Sequence, residues 1–143
     1  MKKCLLIFLV YCFSLTVISC GTEDNTSDNT STESSTYSDN GTTFTVTVNS
    51  SKYYIDGILT KSLILKKGYT YYFDSTDSTT NNHPLFIGTT SSGGSYTYEY
   101  TSGVTNSRTT TATLTFIVPS DSPSTLYYNC GNHASMGGSI TIL

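Results

Sequence analysis

The sequence predicts an all-β domain folded as a β-sandwich, and three observations predict it. Several short runs alternate apolar and polar residues with period two, most clearly Phe44-Thr-Val-Thr-Val48 and the run from Thr110 to Val118. Turn-forming groups such as Asp56-Gly57 and Lys66-Lys-Gly68 punctuate these runs at short intervals. No ten-residue segment carries a helical period, and short strands at this spacing in about 100 residues suit a sandwich.

The elements follow in order. Phe44 to Val48 is the first expected strand. Lys52-Tyr-Tyr-Ile55 is the second, closed by the Asp56-Gly57 turn. Ser62-Leu-Ile-Leu65 is the third and runs into the turn at residues 66–68. Tyr69-Thr-Tyr-Tyr-Phe73 is a fourth, rich in the aromatic residues that pleated sheets accommodate. Residues 74–82 form a polar loop ending at His83-Pro84. Leu85-Phe-Ile87 continues as a short strand. Residues 88–94 are loop, and Tyr96 to Tyr100 is expected to pair only weakly. Thr110 to Val118 is a strand stopped by Pro119. Thr125-Leu-Tyr-Tyr128 leads into a cysteine-containing loop, and Ser139-Ile-Thr-Ile-Leu143 closes the domain.

The 143-residue chain has a leader before this domain. Met1-Lys2-Lys3 is a short positive segment, and residues 4–18 are an apolar run of about 15 residues, too short for a comfortable membrane span. It ends in Val17-Ile18-Ser19-Cys20, which resembles the lipobox of bacterial lipoproteins. That resemblance implies a signal peptide over residues 1–19, cleavage before Cys20 and lipid on the Cys20 thiol. The alternative is an ordinary secretory signal; either places the mature protein outside the cytoplasm. Residues 20–42 then read as the lipidated cysteine and a Ser/Thr-rich tether. Between residues 21 and 42 there is no Leu, Ile, Val, Met or Phe, so little apolar surface offsets the entropy of ordering. Residues 43–143 form one domain.

Processing changes the charge and the cysteine arithmetic. Losing Lys2 and Lys3 leaves five Lys+Arg against ten Asp+Glu, so the formal net charge moves from −3 to −5. With no basic patch, nucleic acid is not an expected partner. Of four cysteines, Cys4 and Cys12 leave with the signal and Cys20 carries lipid, so Cys130 is the one free thiol of the mature chain. An exported protein with one free cysteine has no internal disulfide to make, and an exposed thiol there is a liability. Metal ligation is one reason to keep it; burial as a small hydrophobe is the other.

The neighbours of Cys130 favour ligation. They stand in the run Cys130-Gly-Asn-His133-Ala-Ser-Met136. A thiol, an imidazole and a thioether at C-x2-H-x2-M spacing are soft or borderline donors, a set that suits copper better than any hard cation. Singly, His133 is an ordinary turn residue and Met136 an ordinary core residue; their joint occurrence carries the reading. The chain has one other histidine, His83, which could also be a simple loop residue before a proline.

A strand, then Cys-x-x-His-x-x-Met, then a last strand resembles the cupredoxins, the blue copper proteins, with the short ligand loop of the amicyanin type. Leu65-Lys-Lys-Gly-Tyr-Thr-Tyr-Tyr-Phe73, followed about ten residues later by His83, resembles the strand before the first copper histidine in that family. The resemblance covers residues 44–143. It implies a Greek-key β-sandwich with His83, Cys130 and His133 as strong copper ligands and Met136 as the weak axial one. It also implies electron exchange through a surface-exposed His133, ringed by Ala134, Gly137 and Pro84. Two features depart from the family pattern. Many members place Asn after the first histidine, where it ties the ligand loops together; here Pro84 follows, and it has no N–H to donate. Asn82, Asn129 and Asn132 are the candidate replacements. The stretch 88–109 is also long and rich in Gly, Ser and Thr.

The expected function is a lipid-anchored type 1 copper protein mediating one-electron transfer in the periplasm or at the cell surface. A redox partner protein and the membrane, through Cys20, are its expected partners, and a monomer is the expected state. The alternatives are a copper storage or handover module and a metal-free β-sandwich for surface binding. An enzyme is not expected, because there is no second histidine cluster and the Cys-His pair lacks an evident orienting partner.

Overall fold

The computed structural model describes residues 37–143. The signal, Cys20 and most of the tether lie outside the described residues. The described chain forms ten strands: β1 (Thr43–Asn49), β2 (Lys52–Ile55), β3 (Ile58–Leu59), β4 (Leu63–Leu65), β5 (Thr70–Asp74), β6 (Leu85–Gly88), β7 (Val104–Thr105), β8 (Thr113–Ile117), β9 (Thr125–Cys130) and β10 (Gly137–Ile142). A single 3-10 turn, Ser78–Thr80, sits between β5 and β6.

Two sheets stack as a sandwich, ordered β3-β2-β1-β5-β8-β7 and β4-β10-β9-β6. Most pairs are antiparallel, but β1 runs parallel to β5, and β4 parallel to β10. The chain passes repeatedly from one sheet to the other, so strands adjacent in sequence are often not adjacent in space. This is the all-β, Greek-key class expected from the period-two runs.

Alternation sets the core. Phe44 and Val46 of β1, Tyr53 and Ile55 of β2, and Tyr71 and Phe73 of β5 point inward, as do Leu114 and Phe116 of β8. Leu63, Leu65, Leu126, Tyr128, Ile140 and Ile142 meet them from the other sheet. Each such side chain contributes about 1.5–3 kcal/mol through burial. Strand β6 is buried on both faces, for Phe86 turns away from the core and packs edge-on against Tyr96 at 5.2 Å.

Three local expectations need correction. Residues 37–42 are not tether: the Ser38 N–H donates to Ile64, the Gly41 N–H donates to Thr70, and the Tyr71 hydroxyl donates to the Ser38 carbonyl. Lys66 also lies over the Tyr37 ring at 4.8 Å. Hydrogen bonds to distant segments, with the Tyr37 ring set edge-on against Tyr69, order this mostly polar stretch. The run 110–118 yields a strand only at Thr113–Ile117, because the Thr110 and Ala112 carbonyls instead accept from Thr80 and Ser75. Strands β3 and β7, two residues each, lacked the length for a periodic signal. The expected turn at Asp56-Gly57 is a tight hairpin with both residues at positive φ, 52° and 77°.

The registers define two poles. Leu85 lies opposite Cys130, and Gly137 opposite Asn129, at one end of the second sheet. At the other end Lys67 donates to Leu143 and Gly68 to Val118, close to where Tyr37 and Ser38 join the domain.

Candidate metal centre

His83, Cys130 and His133 come together at the first pole. Their donor atoms all lie within 4.8 Å of one another. Cys130 Sγ is 3.9 Å from His83 Nδ1 and 3.4 Å from His133 Nδ1. The imidazole rings face each other with centroids 4.7 Å apart. Two donors on one ion, with bonds of about 2.0–2.3 Å and an angle near 120°, stand about 3.7 Å apart. The three side chains therefore fit a shared metal. Among the described residues no carboxylate joins this cluster, and a thiol with two imidazoles suits copper rather than a hard cation.

Each donor is held by its backbone. His83 donates its N–H to the Thr80 carbonyl at 2.8 Å, at the end of the 3-10 turn. Asp77 caps that turn by accepting from the Thr79 N–H and hydroxyl. Asn82 supplies the bend before His83 with φ 65°, a conformation that Asn tolerates better than most residues. Cys130 is the last residue of β9, and its N–H donates to the Met136 carbonyl at 2.9 Å, closing the loop between them. Ser135 turns that loop with φ 55°. Met136 immediately precedes β10 and is buried, 1% exposed.

Burial grades the donors: Cys130 is fully buried, His83 is half-buried and His133 is exposed. Burial, and secondarily the charge of His133, holds the His83 imidazole below its ordinary pKa, which favours the neutral, metal-binding form. The exposed rim at His133 consists of its chain neighbours Asn132, Ala134 and Ser135, with Asn82 bonded to Asn132 and Lys52 to Ser135. Pro84, expected on this rim, is buried instead, and Gly137 is only partly exposed.

The bridging role left vacant by Pro84 is shared. Asn132 Nδ2 donates to the Asn82 carbonyl at 2.9 Å, and the Gly131 N–H donates to the Pro84 carbonyl at 2.8 Å. Both bonds tie one ligand loop to the other. Asn129 faces elsewhere and donates to Thr90 at 2.8 Å.

Sequence reasoning missed Tyr53. Its buried hydroxyl donates to the His83 carbonyl at 2.6 Å, linking the first sheet to the first ligand. Burial, then the adjacent Cys130, pushes its pKa well above the ordinary range, so it stays a proton donor. Lys52 Nζ makes a similar link to the Ser135 carbonyl at 3.1 Å. The inward position of Tyr53 was readable from alternation in β2; its partner, 30 residues away, was not.

No protein-family model matches the sequence, and no curated protein matches it. Among solved structures, the chain is similar to variant rusticyanin at 14% identity and TM-score 0.46, covering 75% of this chain and 80% of that one. It is also similar to reduced rusticyanin at 12% identity and TM-score 0.45, covering 75% of this chain and 83% of that one. Likeness this distant adds nothing to the geometry above. The His-Cys-His cluster, set between a strand end and a final strand of an all-β sandwich, fits the type 1 copper loop that the cupredoxin resemblance implied.

Proposed function

We propose that this chain is a type 1 copper protein that carries single electrons outside the cytoplasm, anchored through lipid on Cys20. The convergence of His83, Cys130 and His133 within 4.8 Å carries the reading. His83, Cys130 and His133 would hold copper strongly, with Met136 as the weak fourth ligand. Bound copper supplies a one-electron couple and a strong thiolate-to-metal absorption.

The chain's own residues supply rigidity and access. Two ligands leave strand ends or a capped turn, and the loops holding them are tied to each other and to both sheets. Such a scaffold changes little when the charge of the site changes, which keeps reorganisation small. His133 lies at the surface among exposed Asn, Ala and Ser residues, with the Lys52 ammonium at the edge on the Ser135 carbonyl, a face that a partner protein can approach. Both histidines of the chain are used at this one site, so a carrier fits better than an oxygen-reducing enzyme with a second cluster.

Adding Cu(II) to the purified protein tests this. Strong absorption near about 600 nm is expected, and Cys130→Ser and His83→Ala should each abolish it. Copper uptake only as a colourless Cu(I) complex would point to storage or handover. No uptake with all four residues intact would overturn the copper reading.

A further inference from the structure

The stretch 88–109 is not a loose surface loop. It folds against the free edge of β6 and then against the ligand loop itself. Along β6, Tyr100 donates to Ile87, Arg108 donates to Leu85, and Leu85 donates to Thr109. Where it reaches the ligand loop, the Gly94 N–H donates to the Cys130 carbonyl at 2.8 Å, and the Ser135 N–H donates to the Ser92 carbonyl at 2.7 Å. Gly93 lies against Ala134 as an isolated bridge. A Cβ on Gly93 would stand 2.9 Å from the His133 carbonyl, and one on Gly94 3.0 Å from the Ala134 nitrogen, so glycine is needed for this approach.

One side chain closes the contact. The Tyr96 ring rests on Gly131, next to Cys130, so closely that a Cβ there would fall 2.2 Å from the ring. Tyr96 is itself fixed from outside. The Arg108 guanidinium lies over the ring at 4.2 Å, and Arg108 Nε donates to Glu99 at 3.0 Å. The Ser107 hydroxyl also donates to Glu99, whose side chain is only 7% exposed. Tyr96 is thus held between Gly131, the Phe86 ring and the Arg108 guanidinium.

We propose that residues 88–109 form a brace over the metal-binding loop, with Tyr96 as its positioning residue and Arg108 and Glu99 as the clasp that holds Tyr96 down. The brace fixes the Cys130 carbonyl and the Ser135 N–H, and it covers the Gly131 side of the thiol. It rests on the reading of Cys130, His133 and Met136 as a ligand loop, but its effect on the thiol does not require metal.

The test uses the mature, lipid-bearing protein, in which Cys130 is the one free thiol, in metal-free and copper-loaded forms. In the metal-free form, Tyr96→Ala should raise the rate of Cys130 modification by an aromatic disulfide reagent by about tenfold, the change given by about 1.4 kcal/mol less protection against local opening. Tyr96→Phe should keep the wild-type rate. In the loaded form, Tyr96→Ala should shift the visible band and the reduction potential, and Tyr96→Phe should not. If Tyr96→Ala fails to fold, Arg108→Gln and Glu99→Gln release the clasp more gently and should move the same two readouts in the same direction. A lowered melting temperature with unchanged thiol reactivity and an unchanged band would reduce the stretch to ordinary packing and overturn the proposal. A wild type that takes up no copper would sink the copper reading, while the thiol result would still decide the brace.

Discussion

Tyr53 touches a candidate ligand without being one. Its hydroxyl satisfies the His83 carbonyl from a fully buried position. Tyr53→Phe keeps the ring and removes the donor, leaving that carbonyl without its partner. The expected loss is about 1–3 kcal/mol of unfolding free energy. Chemical denaturation of the metal-free protein measures it, and a loss below about 0.5 kcal/mol would mean that water replaces the hydroxyl. At this scale the sequence was informative about donors and mute about their supports. Cys130, His133 and Met136 announce themselves because three metal-binding side chains within seven residues are chemically unusual. Tyr53 and Gly131 do not, because a tyrosine in a strand and a glycine in a loop have many ordinary uses. The missing Asn after His83 was a correct warning of a changed connection. Of the three asparagines considered, Asn132 made the link, through the Asn82 backbone.

Among the elements, strands of three or more residues were legible and the two-residue ones were not. β2 falls where alternation placed it, because Tyr53 and Ile55 face the core. β3 and β7 exist only because a neighbouring strand offers backbone partners. The brace over β6 belongs to the same class, since an edge strand calls for cover but does not say what covers it. Its clasp has a pH signature. Burial alone would raise the Glu99 pKa, but hydrogen bonds from Arg108 and Ser107 outweigh it and hold the carboxyl below its ordinary value of 4.5. The unfolded chain then binds more protons than the folded one between the two pKa values. Stability from Glu99 is present above about pH 4.5 and is lost as pH falls through the folded value. Glu99→Gln should therefore flatten this part of the acid-unfolding curve while costing stability at neutral pH. An identical acid limb in wild type and variant would remove Glu99 from the account.

For the whole molecule, the polarity of the sandwich matters most. The candidate metal-ligating residues gather at one pole, and residues 37–42 join at the other, beside Ile64, Lys66 and Thr70. Removing residues 1–36 should leave both the stability of the domain and the band near about 600 nm unchanged. Removing residues 1–42 should cost about 2–3 kcal/mol, from lost hydrogen bonds at Ser38 and Gly41 and a Tyr71 hydroxyl left without its acceptor, again without touching the band. Thermal unfolding and visible spectra of the two truncated proteins check both statements, and a changed spectrum would mean that the poles are coupled.

By itself the sequence determined the donor chemistry, the all-β class and most of the inward-facing residues. These depend on residue type and on a period of two, both of which are local. Only the tertiary structure decided that His83 joins Cys130 from 47 positions away. It also decided that Asn132 and Tyr53 secure the site, and that the stretch at 88–109 is a built surface rather than slack. These outcomes rest on backbone and side-chain hydrogen bonds between distant segments, which leave no periodic trace in the chain.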